Sequence, residues 1–547
     1  MPHARPIAEW RQLFEDRESA VHDRLKDIYG RESAEVERRL PMWLKALDGF
    51  AHSFSPYAAV FIARACGRVN LLGMHIDHRG GAVNALAVGD MLFVVEARED
   101  DLVALRNIDY HYPPCQFSIG DELPRGEKIT DWDAWTMARF TERVEAGSQA
   151  NWSNYVKAAV LYLQHQNTGP DGALNPRLRG MNVFVSGNVR PASGLSSSSS
   201  IVVASMEACA RVNNLTLVPA ELAEAGWYAE WYVGTRGGGG DHAAILFGKK
   251  GHLAHIGSYP ITVSTVPLPD RVVAVLCNSL VVAAKTAGAR NVFNQRVAGY
   301  ELGLLLLRKH FPQYAAKMQH LRDVNPDAPG VDEGEIYQML KALPEVAGRE
   351  ELSRALADQP DELARIFRSH EQVDGGYRVR QVCLYGIAEC LRSERCVELL
   401  RSGDVAGFGE LISLSHDGDR ITHLVDGRRV PLEKPLSDAD LDALTESVRS
   451  EDPERREAAR LYRRPGGYDA SCEELDFMVD VAKQVPGVLG AGLVGAGLGG
   501  CIVALAEKDA ADQVIAAIEE HYCRPRGLPI VAQVCPGVGG SGILDLA

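Results

Sequence analysis

The spacing of apolar and polar positions changes along the chain, and these changes predict its elements. Over the first fifty residues Trp10, Phe14 and Leu25 belong to a set of apolar positions that recur at near-helical intervals among many charges, which predicts amphipathic helices. From Ala59 the pattern changes to short apolar runs ended by charge clusters, which indicates buried strands. We therefore expect a helical N-terminal extension followed by a β-rich region.

The predicted β-rich region continues to about residue 270, and a second β-containing unit follows it. The run MNVFVSG before Asn188 indicates a strand, and the apolar residues from Ser199 to Val212 indicate a buried helix behind a glycine-containing loop. Another strand candidate begins at Arg271, and helix-like stretches follow it. The predicted units are residues 1–50, 51–270 and 271–547. Within the last unit, residues 417–468 are rich in charge, Pro and Gly and are predicted to be surface loops or an insertion, as are residues 323–333.

Composition narrows the possible classes of function. A chain of 547 residues is too long for one compact core. Its composition, with 46% hydrophobic and 24% charged residues, is ordinary for a soluble enzyme. A net charge of −15 without a basic stripe argues against a nucleic-acid partner, and no apolar run is long enough to cross a membrane. Eleven cysteines without CxxC spacing favour free thiols, and the N-terminus has no targeting pattern, so we expect a cytoplasmic protein.

The segment GNVRPASGLSSSSS joins the predicted strand to the predicted buried helix. A helix N-terminus offers unpaired N–H groups and partial positive charge, Gly194 lets backbone approach an anion, and the hydroxyls add donors. We predict a loop that holds a nucleotide triphosphate, although the GKS/T ending of a Walker A loop is absent. A flexible serine linker is the alternative, but this run joins two apolar elements. The predicted phosphate-binding residues are Ser193, Gly194, Leu195, Ser196, Ser197 and Ser198.

The segment GRVNLLGMHIDHRGG places polar side chains densely beside buried strands, where they need partners. His75 and Asp77 could bind hydroxyl groups of a polar ligand, and Arg68 could stabilise the charge of a transferring phosphate. Each of these residues taken singly could equally have a structural role. Their grouping favours a site.

The segment EWYVGTRGGGGDH runs from a predicted helix into four glycines and Asp241, so backbone can pass close to a ligand. Asp241 could accept a proton from an attacking hydroxyl or orient it. Glu230 and Ser198 offer oxygen ligands for Mg²⁺. A bare glycine turn is the alternative. A further cluster, GAGLVGAGLGGC from Gly490, suggests a loop packed against the phosphate region; a strand follows it, which disfavours a Rossmann interpretation.

In this order the motifs resemble the GHMP kinase superfamily from about Phe61 to Tyr522. GRVNLLGMHIDHRGG is similar to the galactokinase signature GRVNLIGEHxDYxGG, GLSSSSS to the family's phosphate loop, and GTRGGGGDHA to the GTxGGGMDQ loop of N-acetylgalactosamine kinases. FNQRV from Phe293, FGELISLSHDGDR from Phe408 and ASCEELDFMVDVA from Ala470 resemble the C-terminal half of galactokinases.

The resemblance implies an α/β fold of two lobes, ribosomal-S5-like and ferredoxin-like, with the site between them. It implies ATP on the GLSSS loop, Mg²⁺ at Ser198 and Glu230, Asp241 as the base with Arg68 assisting, and ADP and a sugar 1-phosphate as products. The substrate-binding residues that it implies are Met74, His75, Asp77, Gly238 and Phe293.

Departures from the family pattern bear on the substrate. Met74 stands where galactokinases have a glutamate that binds the C6 hydroxyl, and Phe293 replaces a tyrosine. We therefore expect the substrate to be a 6-deoxyhexose, a pentose or a uronic acid. Arg79 could pair with the carboxylate of a uronic acid; the alternative is that this arginine faces solvent. Two alternatives stay open: a kinase for a non-sugar alcohol, and a weakly active sugar and ATP sensor that regulates a partner protein.

Overall fold

The protein is described here by a computed structural model covering residues 4–124, 126–174, 176–191, 193–236, 238–281, 287–327, 330–372 and 374–546. The strands are β1 (Arg5–Pro6), β2 (Ala59–Leu72), β3 (Val83–Ala97), β4 (Leu102–Asn107), β5 (Cys115–Ser118), β6 (Met181–Gly187), β7 (His252–Gly257), β8 (Thr262–Pro267), β9 (Val272–Asn278), β10 (Thr422–Val425), β11 (Arg428–Pro431), β12 (Val488–Val494), β13 (Cys501–Glu507), β14 (Ala532–Cys535) and β15 (Gly542–Ile543). The helices are α1 (Ile7–Glu15), α2 (Ala20–Tyr29), α3 (Ser33–Ser53), α4 (Ile119–Glu122), α5 (Trp132–Glu145), α6 (Ser153–Gln166), α7 (Ser197–Val212), α8 (Pro219–Glu230), α9 (Gly240–Phe247), α10 (Ala287–His310), α11 (Pro312–Ala315), α12 (Glu333–Leu340), α13 (Arg349–Ala355), α14 (Pro360–Arg368), α15 (Val379–Ser402), α16 (Val405–Asp419), α17 (Asp438–Val448), α18 (Pro453–Ala458), α19 (Glu473–Lys483) and α20 (Ala511–Ile518). The predicted mixed α/β class is confirmed.

The first lobe is built on a sheet with the path β1-β2-β3-β6-β4-β5, in which β4 and β6 alone run parallel. The long strands β2 and β3 are buried over almost their whole length, which explains their nearly continuous apolar sequence. Helices α1 to α3 fall where the helical period predicts them. Their apolar residues Trp10, Phe14 and Phe50 join the same core as β2 and β3, so they cover this sheet. The predicted domain boundaries themselves stay predictions.

A buried carboxylate on β3 ties the N-terminal helices to the sheet. Asp90 has no exposed surface and accepts hydrogen bonds from Arg64 Nε at 2.6 Å and Tyr29 Oη at 2.7 Å on one oxygen. Arg39 on α3 binds the other oxygen. Because a buried charge is costly unless it is paired, these partners keep the carboxylate stable in the core.

The last described residues return to the first lobe. Strand β15 pairs with β2, and Val538 N–H donates to the carbonyl oxygen of Ala87 at 2.8 Å. Arg64 also donates to the carbonyl oxygens of Gly539 and Gly540, at 2.9 and 2.8 Å. The sheet edge at β2 is therefore completed by a segment that lies about 475 residues farther along the chain.

The second lobe contains a four-stranded antiparallel sheet of order β12-β13-β9-β14. Taken in chain order, this is the strand order 2-3-1-4, with α19 before β12 and α20 after β13, which is the ferredoxin-like arrangement that we expected. Val275, Leu475 and Ile502 lie in the core between this sheet and its helices.

Helices α10, α12 to α15 and α17 contribute to a separate core around Tyr300, Tyr337 and Tyr385. The expectation that residues 417–468 are surface loops is wrong. They fold into the β10–β11 hairpin and helices α17 and α18, and Leu441 and Leu461 are buried in this core. These few apolar positions anchor the segment, whereas most of its charged side chains are partly or fully exposed and dominate the sequence pattern.

Within the part of the chain that the structure describes, no helix has the length and apolar character needed to cross a membrane. The eleven cysteines are free thiols, and most of them are buried. Burial raises the pKa of Cys66 to about 12, so this thiol stays protonated at neutral pH.

Candidate active site

A cleft of about 210 Å³ opens beside the first lobe, with the β12–β13 loop forming part of its wall. Its walls come from β2 and the loop after it, the first turn of α7, the end of α8, the loop before α9, and α10. Eight of the residues singled out from sequence line this cleft, and they are Arg68, Met74, His75, Asp77, Glu230, Gly238, Asp241 and Phe293.

Arg68 and Asp241 form the polar centre of the cleft. Arg68 donates from Nε to Oδ1 of Asp241 at 2.6 Å and from Nη2 to Oδ2 at 2.7 Å. Ser196 Oγ donates to the same Oδ2 at 2.6 Å, and Arg68 Nη1 binds the carbonyl oxygen of Gly194 at 2.8 Å. Asp241 lies in the first turn of α9 rather than in the glycine loop, so a helix holds its carboxylate in place.

The serine loop forms the N-terminus of α7, as predicted. Ser196 is the N-cap residue with a φ of 52°, and no side chain caps the first turn. Gly194 has a φ of 71°, and a Cβ added there would lie 3.4 Å from Val494 and 3.5 Å from Cys501. The loop therefore presents a helix N-terminus toward the cleft, and the second lobe packs against it. The predicted proximity of the Gly490 cluster is confirmed, although residues up to Val494 belong to β12.

Glu230 lies at the end of α8, facing the first turn of α7. Its Oε1 accepts a hydrogen bond from Ser199 Oγ at 2.7 Å and is 3.3 Å from Nε2 of His242. The structure thus pairs this carboxylate with Ser199, one residue beyond the predicted Ser198. The assignment of Ser198 and Glu230 to a metal stays a prediction. Among the described residues, no group of three or more His, Cys, Asp and Glu side chains is arranged to hold a metal by itself.

Asp77 forms the opposite side of the cleft together with His78. Burial acts to raise the pKa of Asp77, but the hydrogen bond from His78, with 3.0 Å between Nδ1 and Oδ1, lowers it to about 2. Burial and the nearby Arg79 lower the pKa of His78. Gly238 lies against this carboxylate, because an added Cβ would be 2.4 Å from Oδ2 of Asp77. Asp77 is thus an ionised acceptor in a confined position.

Met74 and His75 continue this wall. Met74 is 4% exposed, and His75 stacks on Tyr468 with ring centroids 4.3 Å apart. His75 has a φ of 63°, a left-handed conformation that is unusual for a residue with a side chain. Its buried Nε2 lies 3.4 Å from Oδ1 of Asp419, so this nitrogen faces a buried carboxylate.

Arg79, the sequence candidate for a uronate partner, has neither of the two predicted roles. It donates from Nη2 to Glu301 Oε1 at 3.0 Å, and its side chain is largely buried. It does not line the cleft.

Several lining residues were not among the predicted site residues. Asn70 and Trp227 line the cleft, as do Gly495 and Ala496 of the β12–β13 loop. Asn70 lies inside a recognised motif and could have been selected for its polarity among apolar neighbours. Trp227 gave no local signal, because only the tertiary fold brings it to the cleft. Gly495 and Ala496 belong to the glycine cluster from Gly490 that was predicted to pack against the phosphate region.

Comparisons with known proteins agree with this geometry. The family profile described as GHMP kinases N terminal domain matches residues 154–249, GHMP kinases C terminal matches residues 443–522, and Galactokinase galactose-binding signature matches residues 48–96. A galactokinase from Dictyostelium discoideum is 26% identical over 512 residues, covering 92% of this chain and 91% of that protein. A galactokinase from Roseiflexus sp. is 25% identical over 489 residues, covering 89% of this chain and 94% of that protein.

A solved structure of Lactococcus lactis galactokinase complexed with galactose has a TM-score of 0.62 at 21% identity. It covers 91% of this chain and 99% of the Lactococcus protein, which confirms the predicted two-lobed kinase fold. The three profile matches do not overlap. Two of them include the cleft-lining residues Arg68 and Asp241. The chain thus carries the N-terminal and C-terminal domains described for GHMP kinases together with the galactose-binding signature of galactokinases, and it is a galactokinase-like kinase.

Proposed function

We propose that the protein transfers the γ-phosphoryl group of ATP to the anomeric hydroxyl of a galactose-like sugar that differs from galactose at C6. The observation that carries this proposal is the Asp241 carboxylate, which Arg68 and Ser196 hold between the N-terminus of α7 and the wall formed by Met74 to Asp77. A phosphate donor on one side and a hydroxyl acceptor on the other meet at this group.

The chemistry of phosphoryl transfer needs positioning and charge stabilisation more than covalent catalysis. As the sugar oxygen bonds to the γ-phosphorus and the bond to the β-phosphate oxygen breaks, the hydroxyl proton passes to Asp241. Arg68 offers a fixed positive charge to the transferring group. ADP and the sugar 1-phosphate then leave.

The first turn of α7 supports the assignment of ATP. Its uncapped N–H groups and serine hydroxyls suit phosphate oxygens, and Gly194 permits a close backbone approach. Mg²⁺ prefers oxygen ligands and often takes only one or two from protein, which fits the Glu230 carboxylate beside the hydroxyl of Ser199 in the serine-rich first turn of α7. Bound there, the ion would neutralise phosphate charge.

The wall around Met74 supports a substrate altered at C6. The buried thioether offers no hydrogen bond to a C6 hydroxyl, and Phe293 adds a second apolar surface to the cleft. Arg68 is the only Arg or Lys among the described residues that line the cleft, and Asp241 already binds it. Arg79 is paired with Glu301. These contacts favour a 6-deoxyhexose or a pentose over a uronic acid.

The test is ADP release from MgATP over a panel of galactose, N-acetylgalactosamine, fucose, L-arabinose, galacturonate, mevalonate and homoserine. We expect turnover on a galactose-like sugar without a C6 hydroxyl. Preferred turnover of mevalonate or homoserine would replace the sugar with a non-sugar alcohol. Tight binding of sugar and ATP without turnover would instead support a sensor.

A further inference from the structure

A carboxylate of the second lobe binds the backbone at the start of the substrate wall, which is the cleft wall formed by residues 73–77. Glu389, in the middle of α15, has no exposed surface. Its Oε1 accepts the N–H of Gly73 at 2.8 Å and that of Met74 at 3.1 Å. Glu389 does not line the cleft itself, so it can act there only through the backbone that it holds.

That backbone has a conformation that needs support. Gly73 has a φ of 90°, and an added Cβ would lie 2.3 Å from the carbonyl oxygen of Ala82. His75 has a φ of 63°, and a left-handed conformation is unfavourable for a residue with a side chain. Such conformations persist where surrounding contacts fix them. The two hydrogen bonds to Glu389 lie at the start of this strained stretch.

The carboxylate is itself fixed from the other side. Arg392, one turn later on α15 and fully buried, donates from Nε to Oε2 of Glu389 at 2.7 Å. Ser415 Oγ on α16 donates to Oε1 at 2.9 Å. Arg392 also binds the carbonyl oxygens of Tyr462 and Arg464, at 3.1 and 2.7 Å. Helices of the second lobe thus determine where the carboxylate stands.

We propose that Glu389 is a positioning residue for the sugar: it fixes the backbone of Gly73 and Met74, so that the side chains of Met74 and His75 face the C6 side of the ring. The inference rests on the proposed function, because it assigns the sugar to this wall. It makes sugar selectivity depend on a contact between the lobes rather than on cleft-lining residues alone.

The test compares Glu389→Gln with a matched control, Glu333→Gln. Glu333 is also a buried carboxylate of the second lobe, and it accepts a backbone N–H from Leu461 at 2.8 Å, pairs with Arg460 and does not line the cleft. The amide of Glu389→Gln can satisfy either the backbone N–H groups or Arg392, but not both. Losing a charged acceptor should raise KM for the sugar about tenfold or more, with KM for ATP unchanged.

Hydrogen exchange of the full-length protein supplies a readout that is independent of turnover. The amides of Gly73 and Met74 should exchange faster in Glu389→Gln and at the wild-type rate in Glu333→Gln. Ser415→Ala, which removes one donor and keeps the charge, should show the same change more weakly and serves if Glu389→Gln does not fold. Unchanged exchange at both amides, or equal KM changes in the two Gln variants, would overturn the inference. Absence of sugar turnover in the wild type would overturn the proposed function instead, and the exchange measurement would still decide the role of Glu389.

Discussion

Arg68 and Asp241 join through two parallel hydrogen bonds, 2.6 Å from Nε to Oδ1 and 2.7 Å from Nη2 to Oδ2, although 173 residues separate them. The pair fixes the plane of the carboxylate as well as its position, since a guanidinium and a carboxylate match as two planar forks. Ser196 completes the arrangement at 2.6 Å. The acceptor is the carboxylate of Asp241, and it is held by Arg68 and Ser196, which come from two other motifs.

Replacing this acceptor is the sharpest test of the proposed chemistry. Asp241→Asn should lower kcat by about a thousandfold, because a carboxamide cannot take the substrate proton. ATP binding should persist, since the first turn of α7 is unchanged. The control is Asp133→Asn, which alters a solvent-exposed carboxylate paired with Arg236. Near-normal kcat in Asp241→Asn would exclude Asp241 as the base.

Met74 should control selectivity at C6. Met74→Glu should raise kcat/KM for galactose relative to that for fucose. A carboxylate accepts a strong hydrogen bond from the C6 hydroxyl, whereas a thioether is only a weak acceptor. Met74→Leu keeps an apolar surface of similar volume and should leave the ratio near its wild-type value. If both variants shift the ratio alike, the effect arises from altered packing and Met74 does not face C6.

Gly238 should be intolerant of any side chain. Gly238→Ala would place a Cβ 2.4 Å from Oδ2 of Asp77, so the carboxylate must move away from its position in the wall. We expect KM for the sugar to rise about tenfold, the loss of one hydrogen bond to a charged group, while KM for ATP is kept. Gly348→Ala is the matched control, because nothing lies within 4 Å of a Cβ added there. Equal kinetics in the two variants would count against Asp77 as a sugar ligand.

The carboxylate of Asp90 should be needed for stability rather than for chemistry. Asp90→Asn leaves Arg64 buried without its carboxylate and Arg39 with Glu35 alone, and breaking such a buried group costs about 3–5 kcal/mol. Urea unfolding should show this loss at an unchanged m-value. Asp100→Asn, at an exposed pair with Arg98, should unfold like the wild type. A small loss in Asp90→Asn would mean that water enters the cluster.

Glu207 on α7 should make stability depend on pH. Burial raises its pKa from an ordinary value of 4.5 to about 8, against smaller opposing effects of Ser541 and Arg64. The folded protein therefore keeps a proton that the unfolded chain releases. Its contribution is complete below pH 4.5 and is lost as the pH rises to about 8. Glu207→Gln should remove this slope from urea midpoints measured between about pH 5 and about pH 8, whereas Glu99→Gln, at an exposed carboxylate, should keep it.

Sequence reasoning identified the elements whose pattern is local. The strand, loop and helix around Gly194 follow from an apolar run, a glycine and a second apolar run, and the structure has them at Met181–Gly187 and Ser197–Val212. Ordered motifs then indicated which residues share one cleft, and the Arg68–Asp241 contact agrees with that prediction.

The rest depends on contacts that no local pattern encodes. Glu389 is one charged residue in a long helix, and nothing near it in sequence indicates that Gly73 is its partner. Residues 417–468 were mistaken for loops because Leu441 and Leu461 are too sparse to produce a clear helical period among so many charges. Pairing Glu230 with Ser199 rather than Ser198 depends on the rotation of α7, since adjacent helical residues point about 100° apart.

The pairing of β15 with β2 also bears on how the chain is made. During synthesis, residues of β2 emerge from the ribosome long before Gly542, so the first lobe lacks this contact until residue 542 has been made. Until then, Arg64 lacks the carbonyl oxygens of Gly539 and Gly540, and one edge of the sheet is open. The nascent protein therefore passes through a period in which β2 needs protection from aggregation, and truncation before residue 537 should leave the first lobe in that state permanently.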